Sequence, residues 1–248
     1  MSILQKWINP YYLEPQTIED IKESINSKPI CRYAVLDNFF NTTILDQWIE
    51  EHKKIQFSEA YDRYTEKGEV IPYDASMTFA QKGKDFAAEF YFAEEWLMYL
   101  SVVLDMPYNK KTTVKQRYHP ANSKGFWIHT DGNERTAVAI GYFNKGWTAK
   151  DGGLLQLWMD DTVKDPNTPK VNASVENRME FLEKYKRVTS SSIGGSGNSI
   201  EKDFILFEQV VPLYNRLFIC DFNSSPCYHS VSPSNGKIRY GFVQWLLR

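Results

Sequence analysis

Hydrophobic spacing divides the chain into a helical first part and a strand-rich second part. Over residues 13–27, Ile18, Ile21 and Ile25 recur at helical spacing, with acidic residues near the start. Arg32-Tyr33-Ala34-Val35-Leu36 reads as a strand, turned by Asp37-Asn38-Phe39-Phe40. Asn41 or Thr42 then caps a helix whose apolar stripe is Leu45, Trp48 and Ile49. His52 falls at its end, where an exposed or capping role is expected. Residues 57–83 are mixed and polar and read as a loop with a short strand. From Lys84 to about Leu104, the shared face of Phe86, Phe90, Ala93, Leu97 and Leu104 predicts one long helix packed on a sheet.

After Pro107 the period changes from helix to strand. Thr113–Tyr118, Phe126–Asp131, Thr136–Phe143, Leu154–Trp158, Phe204–Val210, Leu217–Phe222, Tyr228–Val231 and Ile238–Leu246 are short and rich in β-branched and aromatic residues. Gly, Pro, Asn and Asp punctuate them. This succession predicts an α+β fold with a mostly β core, a closed barrel or a double-sheet jelly roll, and excludes a βαβ sheet. A single domain over 1–248 is expected, with 1–105 as helical support for one outer face and 106–248 as the core. A polar insertion at 159–203 interrupts the core. It holds a predicted helix at 173–187 and a Ser/Gly-rich connector at 189–199, and reads either as a lid over the barrel mouth or as a dispensable loop.

Composition narrows the function classes. The 15 Tyr, 15 Phe and 7 Trp favour a roomy, aromatic-lined pocket. A net charge of -2, with no basic block, leaves out the electrostatic footprint of a nucleic-acid binder. Cys31, Cys220 and Cys227 are too few and too scattered for a disulfide scaffold, so a reducing, cytoplasmic setting is expected. The first residues lack the regions of a signal peptide and no apolar run is long enough to span a bilayer. No membrane partner is expected.

Candidate chemistry centres on Gly125-Phe126-Trp127-Ile128-His129-Thr130-Asp131-Gly132. Strand alternation points Trp127, His129 and Asp131 to one side, so an imidazole and a carboxylate converge. His229, one of only four histidines, lies on another predicted strand and Arg239 follows ten residues later. Two His and one carboxylate with open positions suit non-haem Fe(II), and the Arg suits a dicarboxylate cosubstrate. The last strand is apolar on both faces, so an unpaired Arg239 there would cost about 3–5 kcal/mol and an anion must meet it. His119 precedes Pro120 in an expected loop and ranks below His229 as a ligand. Cys227 shares the strand parity of His229, and reads as a small buried hydrophobe.

Tyr118-His119-Pro120 through His129-Thr130-Asp131, then Ala139 to Trp147, Gly152-Gly153-Leu154-Leu155-Gln156-Leu157, and His229 with Arg239, resemble the catalytic core of the Fe(II)/2-oxoglutarate dioxygenases. The similarity is to the prolyl-4-hydroxylase-like branch and covers about 113–246 without the insertion. The resemblance implies a double-stranded β-helix with His129, Asp131 and His229 as iron ligands and Arg239 on the distal carboxylate of 2-oxoglutarate. It also implies Tyr142 as a hydrogen-bond donor to that carboxylate and Tyr118 as an aromatic wall of the cosubstrate pocket. Trp127 and Trp245 would stand at the substrate. Fe(II), 2-oxoglutarate and O2, with ascorbate in support, would then hydroxylate an unactivated C–H. The expected substrate is a prolyl residue of a protein, or a free amino acid or small metabolite. Related halogenases have a small residue where Asp131 stands, so hydroxylation is implied. Nucleic-acid demethylases of the superfamily carry a second Arg where Trp245 stands here, which argues against a nucleic-acid substrate. The alternatives are a non-catalytic or sensory ligand-binding jelly roll, and a cupin-type metal enzyme, against which Arg239 and Tyr142 speak.

Overall fold

The computed structural model describes the chain except residues 29, 56–62, 65–69, 72–74, 79–85, 124, 130, 132–133, 161–203 and 223–226; 63–64, 70–71, 75–78, 126–129, 159–160 and 204–205 are described by backbone alone. Of the insertion at 159–203, residues 159–160 end a strand and the rest, with its expected helix and connector, lies outside the described residues.

The first part opens with two short elements that the spacing did not announce. These are α1 (Ile3–Trp7), closed by a Ser2/Gln5 capping box, and a 3-10 turn at Pro10–Leu13. α2 (Pro15–Asn26) buries Ile21 and Ile25. β1 (Arg32–Asp37) leads into α3 (Thr42–Lys53), where the Asn41 side chain accepts from the Thr43 N–H and Leu45, Trp48 and Ile49 are buried. Two two-residue strands, β2 (Arg63–Tyr64) and β3 (Val70–Ile71), pair with each other, and β4 (Ala75–Thr78) follows.

The helix expected over Lys84–Leu104 is divided. α4 (Ala88–Tyr91) ends at Phe92, and α5 (Glu94–Val103) starts again after Ala93, whose extended backbone interrupts the i to i−4 ladder. The break lets Phe90 and Tyr91 as well as Trp96, Leu97 and Leu100 all reach the core. His52 also departs from expectation. It is 1% exposed, with its ring edge-on to Phe143 and Tyr240 and its Nε2 3.2 Å from the Arg117 carbonyl. It sits on the buried stripe of α3, seven residues after Leu45 and so two turns on.

The second part is antiparallel throughout. It comprises β5 (Thr112–His119), β6 (Phe126–His129), β7 (Arg135–Tyr142), β8 (Leu155–Asp160), β9 (Phe204–Val210), β10 (Arg216–Asp221), β11 (Tyr228–Val231) and β12 (Arg239–Leu247). Two sheets form, in the orders β1-β10-β7-β12-β5-β4 and β6-β11-β8-β9. Alternation along β12 shows how they are used. Tyr240, Phe242 and Leu246 belong to the core shared with the helices, whereas Val243, Trp245 and Leu247 belong to the core shared with the second sheet. The helices therefore cover one face of the larger sheet and the smaller sheet covers the other. Leu155, Leu157 and Val210 supply the second sheet's side of that inner core. No helix among the described residues is long and apolar enough to cross a membrane.

Candidate metal and cosubstrate site

Between the sheets, β6 and β11 pair with His129 and His229 as direct partners, and the ladder shifts register just after His229. The register sets the two histidine backbones side by side. The side chains of Trp127 and His129 lie outside the described residues.

His229 and Asp131 are described in full. Both side chains are largely buried, and the His229 Nε2 stands 4.0 Å from the Asp131 Oδ2. The His229 Nδ1 lies 3.0 Å from the Cys227 carbonyl oxygen. A carbonyl only accepts, so the Nδ1 N–H donates to it, and Nε2 is the ring nitrogen that faces Asp131. The Phe222 ring lies parallel to the imidazole, with an interplanar angle of 2°. Metal bonds of about 2.1 Å at right angles join donors about 3 Å apart, so the pair faces a common point and would close by about 1 Å to hold a divalent ion between Nε2 and Oδ2.

Asp131 is held from two directions. The Trp245 indole N–H donates to Oδ2 at 2.7 Å and Arg135 donates to Oδ1 at 2.8 Å. Arg135 also lies over the Trp245 ring, 4.3 Å from its centroid. A carboxylate so tethered has little freedom to rotate away from the histidine.

Arg239 lies on the inner face of the same strand as Trp245, 6% exposed. One amino group donates to the Gly153 carbonyl at 2.6 Å and the other contacts the His119 ring. Its guanidinium carbon is 5.9 Å from the centre of the buried Tyr142 ring. Burial pushes the Tyr142 hydroxyl up to about 12, against the opposing pull of Arg239, so it remains a donor at neutral pH. Gly152 explains the Gly-Gly motif. Its φ is 70° and an added Cβ would stand 2.0 Å from the Pro233 carbonyl oxygen, so only glycine brings this turn against the chain entering β12. The turn in turn presents the Gly153 carbonyl to Arg239.

One position moves by a single residue. His119 is not in a loop but ends β5, 4% exposed and directly opposite Arg239. Tyr118 pairs with Tyr240 and its ring lies 5.8 Å from that ring, on the helix side of the sheet. The structure therefore does not bring Tyr118 to Arg239; His119 occupies that place, because adjacent strand residues face opposite sides.

The cysteines also depart from expectation. Cys31, just before β1, and Cys227, just before β11, form a disulfide with a Cα–Cα distance of 5.4 Å. The Cys220 sulfur lies 3.4 Å from that of Cys31. Distance along the chain hid the contact, since β10 pairs with β1 and packs beneath β11. The disulfide removes the basis on which a reducing compartment was expected. Cys227 is thus a cross-link that also supplies the carbonyl acceptor for His229. Burial, then the neighbouring Asp221 and Asp131, push the Cys220 thiol up.

No protein-family sequence model and no curated protein sequence matches the chain. Solved structures do. A prolyl-4-hydroxylase from Pseudomonas putida superposes with a TM-score of 0.58 over 93% of this chain and 98% of its own, at 12% identity. A Trichoplax adhaerens prolyl hydroxylase, in complex with a hypoxia-inducible-factor oxygen degradation domain peptide, gives 0.53 over 94% and 89%, at 13% identity. HygX from Streptomyces hygroscopicus, with nickel and 2-oxoglutarate bound, gives 0.56 over 91% and 85%, at 9% identity. The chain has the fold of the prolyl hydroxylases and other 2-oxoglutarate/Fe(II) oxygenases.

Proposed function

We propose that this single domain is an Fe(II)- and 2-oxoglutarate-dependent hydroxylase built on a double-stranded β-helix. The observation that carries the reading is the His229–Asp131 pair, at 4.0 Å, with the His229 Nδ1 tied to the Cys227 carbonyl. His129, Asp131 and His229 would hold the metal, His129 through its register opposite His229. When bound, iron and 2-oxoglutarate supply oxidation by O2, coupled to decarboxylation to succinate and CO2, with ascorbate keeping the iron reduced.

The chain's own residues do the positioning. Arg239 presents a planar fork to the distal carboxylate, and Tyr142, protonated at neutral pH, donates to it. Trp245 and Arg135 fix the rotation of Asp131. Val138, Leu157 and Phe218 keep the space between the sheets apolar, which excludes water. Trp245 would stand at the substrate side, and Trp127 would join it by its strand parity with His129. A carboxylate at position 131, rather than a small residue, favours hydroxylation over halogenation. A hydroxylated C–H is the expected product, on a peptidyl proline or on a small molecule.

The test is succinate formation by purified protein given Fe(II), ascorbate, 2-oxoglutarate and candidate substrates. Turnover lost in Asp131→Ala is expected; absence of both turnover and binding of iron or 2-oxoglutarate would overturn the reading.

A further inference from the structure

Three cations converge on one indole. The Lys115 Nζ lies 5.9 Å from the Trp245 ring centre, the Arg117 guanidinium carbon 5.8 Å and that of Arg135 4.3 Å. Their placement follows from strand register. Thr113, Lys115, Arg117 and His119 stand opposite Trp245, Val243, Gly241 and Arg239 across the β5–β12 ladder. Directly opposed residues share a face, so β5 lines the inter-sheet space with basic groups where a hydrophobic core would place Val or Leu.

We propose that the substrate of this site carries a carboxylate that Lys115 binds beside Trp245, with Arg117 and Arg135 flanking. The inference rests on the hydroxylase reading above and names the substrate class within it. Arg135 is committed to Asp131, which itself would hold iron. Lys115 forms no ion pair with any described residue, and Asp131 is the one carboxylate that raises its pKa. Burial first, then Arg117 and Arg135, draw that pKa down, the mark of an ammonium crowded by like charge. A neutral substrate closing over Lys115 would strip water from this half-buried ammonium and leave it only the Asp131 charge already held by Arg135. A carboxylate would replace the lost water with a charge-assisted hydrogen bond and would hold the substrate against the indole that orients Asp131.

A free amino acid and an acidic side chain in a peptide both present this chemistry, and paired probes separate them. The purified chain, with Fe(II) and 2-oxoglutarate, is given the free L-amino acids and their amides. In parallel it is given capped alanyl-prolyl-aspartyl and alanyl-prolyl-asparaginyl peptides. Succinate release is followed, and binding of the same probes is measured by calorimetry without turnover. At least one carboxylate probe is expected to outperform its amide by about tenfold or more. Lys115→Met should erase that discrimination and Lys115→Arg should keep it. A merely structural lysine would alter affinity for both members of a pair and leave their ratio unchanged. Equal use of acid and amide, discrimination that survives in Lys115→Met, or no carboxylate probe that binds or turns over would overturn the proposal. Calorimetric discrimination without any iron or 2-oxoglutarate binding would instead overturn the hydroxylase reading and leave the carboxylate site standing.

Discussion

Replacing Trp245 with Phe isolates one contact at the centre of the site. A smaller aromatic ring remains, and what is lost besides ring area is the indole N–H that donates to the Asp131 Oδ2 at 2.7 Å. A hydrogen bond to a charged acceptor contributes about 1.5–3 kcal/mol. Were all of it expressed in metal binding, that would be roughly a 10- to 150-fold weaker Fe(II) complex. Arg135 still holds Oδ1, at 2.8 Å, and limits the loss. Its stacking over the ring, at 4.3 Å, survives on the phenyl group in weakened form. An Fe(II) dissociation constant raised about 10- to 100-fold is the expected outcome, in line with groups that orient metal ligands elsewhere. Anaerobic competition with a chromophoric chelator gives that constant, and circular dichroism checks that the variant folds. Iron affinity within about threefold of the parent, in a folded variant, would refute the claim that Trp245 orients Asp131 for a metal.

Other expectations follow from the same geometry. His52 is buried and its pKa is drawn down to about 4, chiefly by burial. The unfolded chain binds the extra proton between about pH 6.5 and pH 4, so His52 contributes stability that is intact above that window and lost as pH falls through it. The loss is about 2.5 kcal/mol at pH 4.5. Urea denaturation of the parent and His52→Phe should show the parent losing that much more between pH 7.5 and 4.5, and parallel losses would contradict it. Arg239→Ala removes a buried guanidinium held by Gly153 and His119. It should weaken 2-oxoglutarate binding by about two orders of magnitude, the cost of truncating a buried charge partner, while Fe(II) affinity changes little; equal loss of both would refute the assignment. The Cys31–Cys227 bond closes a separation of 196 residues. Alkylation under denaturing conditions should label one thiol before reduction and three after it, and Cys31→Ser should lower stability by up to about 5 kcal/mol.

Much of this site can be read from residue types and parity alone. Alternation in Ile238–Leu246 is strong because that strand is buried on two defined faces, and the structure has β12 there; β6 lies where Phe126–Asp131 reads as a strand. Arg239 is expected on a strand buried on both faces, and the structure places it on the face shared with Trp245, 6% exposed. What escaped was whatever depends on one residue of register or on contact across the chain. Ending β5 at Tyr118 instead of His119 hid that His119 stands opposite Arg239. Helical spacing gives no sign of the extended backbone at Ala93 that divides α4 from α5. His52 looked terminal by position, yet the stripe from Leu45 through Ile49 carries it inward. Cys31 and Cys227 meet only because β1 and β10 pair beneath β11, a relation that spacing along the chain does not encode. Lys115 and Arg117 were legible as alternate residues of a strand, but their meaning required Trp245 across the ladder.

The central claim is that one pocket holds a metal and a dicarboxylate together, so the two must be linked in binding. Anaerobic calorimetry of 2-oxoglutarate, with and without Fe(II), tests it most directly. One cosubstrate per chain, bound at least about tenfold more tightly with iron, is predicted, with the difference abolished in Asp131→Ala. The same affinity with and without iron, or no stoichiometric binding of either, would contradict it.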